Sequence, residues 1–363
     1  MNKNNYALIM AGGVGSRFWP VSRTEYPKQF IDFFGVGKTL IQSTYERFLR
    51  ICPPENIFIV TNEIYTSIIK EQLPDIGDNQ ILAEPIMRNT APCISYGSTK
   101  IAQLNPDATI VVAPSDHTIS DQEAFIAAIE QSLKAASEND CLITLGIKPS
   151  RPDTGYGYIQ YTEDCLPTDD QIHKVKIFTE KPNLDLAKSF IQSGDFLWNA
   201  GIFIWSAKAI NKSFSHHLPE MHEIFQQGSA VYNTDGEAEF IGTAYQQCIN
   251  ISIDFGIMEK AENVYVLPAD FGWSDLGTWA SIYEIADHDY VGNAVIPAEK
   301  VMMFNSSNCM VNVPEDKLVI LQGLHDYIVV ESNNTLLICP RSEEQSIKQV
   351  VADVKSKFGT KYI

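Results

Sequence analysis

The chain has 363 residues, 45% hydrophobic and 20% charged, with a net charge of −18. That length and apolar content suffice for a large core and more than one domain. The acidic balance argues against nucleic acid as a partner, because a phosphate backbone requires a basic face. The apolar stretches are strand-sized and Lys3 precedes no signal-type hydrophobic region, so no membrane partner is expected and a cytoplasmic location follows by default. Seven cysteines, at 52, 93, 141, 165, 248, 309 and 339, never approach a Cys-x-x-Cys spacing; they read as reduced, mostly buried thiols and argue against zinc and disulfides.

Charge is unevenly spread. Residues 1–50 hold seven Lys or Arg against three Asp or Glu, or +4, which leaves −22 for the remaining 313 residues. The positive charge lies beside a glycine-rich turn. Tyr6 to Met10 is an apolar strand, Gly12, Gly13 and Gly15 follow, and Arg17, Arg23 and Lys28 come next. Glycines remove the side chains that would keep backbone N–H groups from a polyphosphate, so this reads as a phosphate-binding device. Two better-known loops fail on spacing. A dinucleotide fingerprint needs a third glycine where Phe18 stands, and a Walker A loop ending in Gly37, Lys38 and Thr39 needs a glycine at the position of Asp32. Phe30 to Phe34 could itself be a short strand.

Further along, strands are expected over Ile57–Thr61, Ile81–Glu84, Thr109–Ala113 and Cys141–Leu145. Helices are expected over Leu40–Leu49, Thr90–Leu104 and Ala124–Ala136. This alternation indicates a mainly parallel sheet with helices on its faces. Ligands bind such sheets at the carboxyl ends of the strands, so the glycine loop, Glu84 and Asp116 converge by topology alone. From residue 286 the pattern becomes β-rich hairpins, over Val301–Phe304, Cys309–Val313, Lys317–Leu321, Tyr327–Glu331 and Thr335–Cys339. Ser342 to Gln345 reads as a capping box opening a last helix, with Lys355 and Lys357 near its end. Two domains are therefore expected, 1–285 and 286–363.

The run Gly12-Gly13-Val14-Gly15-Ser16-Arg17, followed by Pro27-Lys28-Gln29-Phe30, resembles the sugar nucleotidyltransferases, and among them the mannose-1-phosphate guanylyltransferases. Further blocks follow in family order: EPIMRNTAP from Glu84, PSDH from Pro114, TGYGYI from Thr154, FTEKP from Phe178, WNAGIF from Trp198 and GWSDLGTW from Gly272. Ser16, Phe18 and Met87 depart from the common pattern without removing a charged group. The resemblance implies a Rossmann-like α/β fold with a short β-helix-like C-terminal appendage, and a homodimer is compatible with such an appendage. The segment after 285 is too short for the cupin-type isomerase domain fused to some relatives, so no mannose 6-phosphate isomerase activity is expected.

The implied reaction joins mannose 1-phosphate to the α-phosphorus of GTP and expels pyrophosphate. The attacking oxygen is already ionised, so positioning and charge neutralisation dominate and no Ser-His-Asp triad is needed. Arg17 and Lys28 would face the triphosphate, and backbone N–H groups from Gly12 to Ser16 would hold its oxygens. Asp116 and Asp275 suit Mg²⁺, which takes one or two carboxylates plus phosphate oxygens and water. Only the resemblance pairs them; alone, either would be a helix cap or turn. His117 is expected to orient Asp116. Guanine offers adjacent N1–H and N2–H donors, so Glu84, at a strand end, is the candidate base reader. Leu8, Ala11, Asn89 and Thr90 complete the nucleotide-binding set. The resemblance places Gly157, Glu180, Lys181 and Asn199 around the sugar phosphate; alone, Glu180 and Lys181 would be a surface ion pair. Asn199, in an otherwise apolar block, suggests a ligand. The alternatives are a sibling enzyme using another base or sugar, and a non-catalytic nucleotide-sugar-binding regulatory subunit.

Overall fold

Leu8, Phe58, Val60, Ile110 and Val112 share one apolar cluster with Ile94 and Ile101 of the Thr90–Leu104 helix. Their neighbours Ala7, Ile9, Ile57, Ile59 and Val111 point the other way and are equally inaccessible. Strands buried on both faces read as near-continuous apolar runs, which is why they stand out in the sequence. The computed structural model describes residues 2–363, which form two compact units. One comprises the segment ending at Gly12 together with Tyr45–Ser115 and Ile119–Trp273. The other comprises Gly13–Thr44, Asp116–Thr118 and Ser274–Ile363.

The first unit is built on a nine-stranded sheet. Its strands are Asn5–Met10 (β1), Ile57–Asn62 (β2), Ile81–Glu84 (β3), Thr109–Pro114 (β4), Leu142–Ile147 (β5), Gly157–Leu166 (β6), Asp169–Glu180 (β7), Phe196–Ser206 (β8) and Val264–Ala269 (β9). The order is β3-β2-β1-β4-β8-β5-β9-β7-β6. β3, β2, β1 and β4 run parallel, as the alternation of strands and helices predicts. β8 is inserted antiparallel to both β4 and β5, and the β6–β7 pair is antiparallel, so the sheet as a whole is mixed. The expected helices are observed at Leu40–Phe48, Thr90–Leu104 and Gln122–Glu138. The Thr90–Leu104 helix approaches β1 closely because Gly97 has no side chain; a Cβ there would lie 2.5 Å from Leu8 Cδ2.

The second unit has its own core, in which Phe18, Phe33 and Trp279 meet edge-on or tilted around Leu276, Ile328 and Ile347. Its strands are Ala294–Ile296 (β10), Val301–Phe304 (β11), Met310–Asn312 (β12), Val319–Gln322 (β13), Tyr327–Ser332 (β14) and Thr335–Pro340 (β15). The sequence pattern predicts hairpins here, and only β14–β15 is one. β10, β12 and β14 pair in parallel, as do β11 and β13, so successive strands form the coils of a small β-helix. Asn305, Asn308, Gly323 and Asp326, all at positive φ, turn its corners. Turn residues mark where a chain bends but not whether it returns beside itself or winds onward.

Two smaller expectations also change. Phe30–Phe34 is no strand: a 3₁₀ turn covers Lys28–Phe30, and the Asp32 carboxylate then accepts the N–H groups of Phe34, Val36 and Gly37. A carboxylate thus occupies the amides a Walker A loop would offer to phosphate. The capping box does not form, because 341–346 is a 3₁₀ segment and Glu344 accepts from the N–H of Ala280 instead. The last helix runs from Ile347 to Phe358, with Lys355 and Lys357 in its final turn as expected. Five cysteines are buried and two half-buried, all as free thiols. Among the described residues no helix is long and apolar enough to cross a membrane.

Candidate active site

Gly15 leads into a single 3₁₀ turn, Ser16–Phe18, and holds φ +70°. Any other residue there would be strained, and a Cβ would lie 2.5 Å from Lys28 Cβ. The loop therefore closes on the Lys28 stem, and the N–H of Lys28 donates back to the carbonyl of Val14. No protein acceptor takes a backbone N–H from residues 13–16 among the described residues. Arg17 Nε is inaccessible to water and without a hydrogen-bond partner. An unsatisfied buried donor is rare and costly, so Arg17 Nε, beside the uncommitted amides of a glycine turn, is suited to an anion.

A cleft of about 290 Å³ in the second unit is lined by Gly15, Ser16, Arg17, Lys28, Asp116, His117, Asp275 and Lys348. It gathers the four residues predicted for catalysis. Lys28 is almost fully buried; its ammonium lies 3.0 Å from Asp116 Oδ2 and donates to the backbone carbonyl of Asp275. Burial would push the Asp116 carboxyl up, but the charges of Lys28 and His117 outweigh it and hold it below its ordinary value. His117 stands 4.0 Å from Asp116. Asp275 Oδ1 accepts from the N–H of Gly277, and the adjoining Leu276, fully buried, is forced to φ 45°. A branched side chain in that conformation stores strain, which is concentrated at functional turns. The third expected cation, Arg23, is elsewhere: its guanidinium donates to the carbonyls of Pro20, Ser332 and Asn333 and to Thr335 Oγ1, clamping the β14–β15 turn. It is a structural residue rather than a phosphate ligand.

The remaining predicted residues lie in the first unit. Glu84 ends β3, almost inaccessible, with Oε1 accepting from the hydroxyl of Tyr245 at 2.9 Å and Oε2 toward Gly12. Burial raises its carboxyl to about 7, against the pull of the Tyr245 hydrogen bond. Tyr245 lies 161 residues away in sequence, and no motif points to it. Leu8 is packed in the core in the middle of β1, which pairs with β2 and β4 on its two sides, so the structure does not present it to a ligand, and the N–H and carbonyl of Ala11 are taken by Val60 and Thr61. Asn89, at φ 67°, caps the Thr90–Leu104 helix with its own side chain, and the Thr90 hydroxyl accepts from the N–H of Ile253.

Gly157, Glu180 and Asn199 converge on adjacent strands. Gly157 pairs with Glu180 across β6 and β7, and a Cβ at Gly157 would lie 2.5 Å from Glu180 Oε2 and 3.2 Å from Asn199 Cβ. Lys181, at φ 49°, turns its ammonium back onto Glu180. Asn199 has a structural role that its apolar sequence context hid: its carbonyl accepts from Thr144 Oγ1 and the N–H of Gly201, and its amide donates to Asp254 at 3.0 Å. Asp254 opens a five-residue π-helical turn, and burial followed by the Glu180 charge raises its carboxyl to about 7. π-turns recur at functional sites, and Asp254 is the second residue here that sequence reasoning missed.

Fold and residues together define an enzyme class that handles nucleoside triphosphates with a mixed α/β sheet. The nucleotidyl transferase family model matches residues 6–290, and a mannose-phosphate isomerase/GMP-like β-helix domain model matches 299–354. The chain belongs to the nucleotidyl transferase family. It is 35% identical to a mannose-1-phosphate guanylyltransferase of Escherichia coli K12, over 97% of this chain and 73% of that protein. It is 34% identical to the alginate biosynthesis protein AlgA of Pseudomonas aeruginosa, over 96% and 72%. A crystal structure from Thermus thermophilus, described as a mannose-1-phosphate geranyltransferase, superposes with a TM-score of 0.85 at 31% identity, covering 97% of this chain and 99% of that one.

Proposed function

We propose that this enzyme transfers the guanylyl group of GTP to mannose 1-phosphate, releasing pyrophosphate and GDP-mannose. The observation that carries the reading is the cleft in which uncommitted N–H groups of the glycine loop and the unpartnered Arg17 Nε lie with the Lys28–Asp116 pair and Asp275. A sugar-phosphate oxygen attacks the α-phosphorus in line; the bond to the β-phosphate oxygen breaks and pyrophosphate leaves with its electron pair. Arg17 and the loop amides of Gly13, Gly15 and Ser16 hold the triphosphate oxygens. Lys28 fixes Asp116 in its ionised form. Glu84 reads guanine, oriented by Tyr245, with Gly12, Asn89 and Thr90 beside it. Gly157, Glu180, Lys181 and Asn199 form the sugar-phosphate group.

The donor set fits Mg²⁺: Asp116 is kept ionised, and both Asp116 and Asp275 offer hard oxygen ligands that phosphates and water would complete. Bound there, Mg²⁺ supplies charge neutralisation on phosphate oxygens. We further assign 1–285 as the catalytic domain and 286–363 as the appendage, a cytoplasmic location, and a homodimer. Exposed Met302, Phe304, Leu318 and Ile320 on the β11–β13 face favour association.

The test is pyrophosphate release with Mg²⁺, mannose 1-phosphate and GTP, ATP, UTP or CTP in turn. Turnover with GTP alone is expected. Release with another triphosphate would transfer the reading to a sibling enzyme, and silence with all four would favour the regulatory-subunit alternative.

A further inference from the structure

One cation in the phosphate cleft comes from none of the nucleotidyltransferase motifs. Lys348 lines the cleft with Arg17, Lys28, Asp116 and Asp275, yet it belongs to the C-terminal helix, more than three hundred residues after the loop. Its placement is fixed from both ends. Ile347, the preceding residue, is buried in the same core as Phe18, the residue that follows Arg17, so each cation is one position from an anchored apolar side chain. Beyond the helix, the carbonyl of Tyr362 accepts from Trp19 Nε1 at 2.6 Å, tying the chain end to the same loop.

Charge counting gives this residue its purpose. Arg17 and Lys28 formally cancel Asp116 and Asp275, and Lys28 is committed to Asp116 at 3.0 Å. Without Lys348 these groups sum to zero, whereas a nucleoside triphosphate or free pyrophosphate brings several negative charges. Lys348 is solvent-exposed, so its flexible stem can turn onto an arriving polyanion. It also stands in the first turn of its helix, where a cation opposes the helix dipole. Helix stability therefore does not account for a lysine there, while lysine and helix terminus both add positive potential on the cleft.

We propose that Lys348 binds the β- and γ-phosphates of the nucleotide and the pyrophosphate formed from them, making the appended β-helix domain part of the substrate site. This deepens, and as to the nucleotide rests on, the guanylyl-transfer reading. Calorimetric titration of the whole chain with inorganic pyrophosphate and Mg²⁺ tests it alongside steady-state kinetics. Lys348→Gln should weaken pyrophosphate binding and raise KM for GTP about tenfold, the scale of one lost charge-assisted contact. KM for mannose 1-phosphate should stay within about twofold, because the contact is to the leaving group alone. Lys348→Arg should restore most of the loss, and Lys355→Gln, in the last turn of the same helix, should behave as wild type. Unchanged pyrophosphate affinity and GTP KM in a folded Lys348→Gln protein would overturn the proposal, as would an equal loss in Lys355→Gln, which would mark a general charge effect. If the wild type fails to turn over GTP, the functional reading falls, and the pyrophosphate titration still decides the role of Lys348.

Discussion

Glu84 allows the base-recognition step to be tested through its pH dependence. Its carboxyl is raised from an ordinary 4.5 to about 7 by burial, and the hydroxyl of Tyr245 is the group that lowers it. Guanine donates N1–H and N2–H, so it requires the carboxylate, and kcat/KM for GTP should climb with pH through about 7 and then level. Tyr245→Phe removes a 2.9 Å hydrogen bond to that carboxylate. Such a bond to a charged group is worth roughly 1.5–3 kcal/mol, or about one to two pH units, so the inflection should move to about 8–9. At pH 7 the ionised fraction then falls from about one half to between about a tenth and a hundredth, a roughly five- to fiftyfold loss of kcat/KM. Stability carries the opposite sign. Between 4.5 and 7 the folded chain keeps a proton that the unfolded chain releases, so this site makes the fold less stable as pH rises across that window. The total is about 3 kcal/mol at ~1.36 kcal/mol per pH unit. Glu84→Gln should flatten that slope and gain stability above pH 7 while losing discrimination for guanine. The assays are pyrophosphate release from pH 6 to 9 and urea unfolding from pH 4.5 to 8. A level GTP profile, or a Tyr245→Phe profile that overlays wild type, refutes the reasoning.

Three further outcomes follow from the close contacts. Gly15→Ala places a methyl group 2.5 Å from Lys28 Cβ at φ +70°. It should cost at least ~1–2 kcal/mol from the backbone alone and raise KM for GTP, measured by thermal unfolding and kinetics. Lys28→Met leaves Asp116 without its cation. We expect ~2–3 kcal/mol lower stability near neutral pH, below the usual range for a buried pair because Asp116 is partly exposed. In wild type that contribution is present above the unfolded carboxylate range and fades as pH falls through the lowered value, so the two proteins should converge in acid; turnover should fall at least about a hundredfold. Gly157→Ala meets the movable end of Glu180 at 2.5 Å and the strand-anchored Asn199 Cβ at 3.2 Å. It should raise KM for mannose 1-phosphate about tenfold with ~1–2 kcal/mol of destabilisation; an unchanged KM would detach Gly157 and Glu180 from the sugar.

The first half of the sheet and the loop that ends β1 were legible in the amino-acid order. Both are local statements: apolar runs long enough to be buried on both faces, and glycines where side chains cannot fit. Ile81–Glu84, Thr90–Leu104 and Val301–Phe304 even keep their expected bounds. The antiparallel insertion of β8 emerges only on folding, and the winding of β10–β14 into coils was legible only through the family resemblance, because periodicity reports which residues are buried and not which strand lies alongside. The partners of the candidate site residues emerge in the same way. Lys28 could be read as a phosphate cation, but its burial against Asp116 is a property of the fold. Arg23 looked the same in sequence and is spent on backbone carbonyls of β14 and the turn after it. Tyr245, Asp254 and Lys348 carry no local signal, since each acts through a group 161, 55 or more than three hundred residues away. Charge and hydrogen bonding act over a few ångströms of space whatever the separation along the chain, and only the folded chain sets those distances.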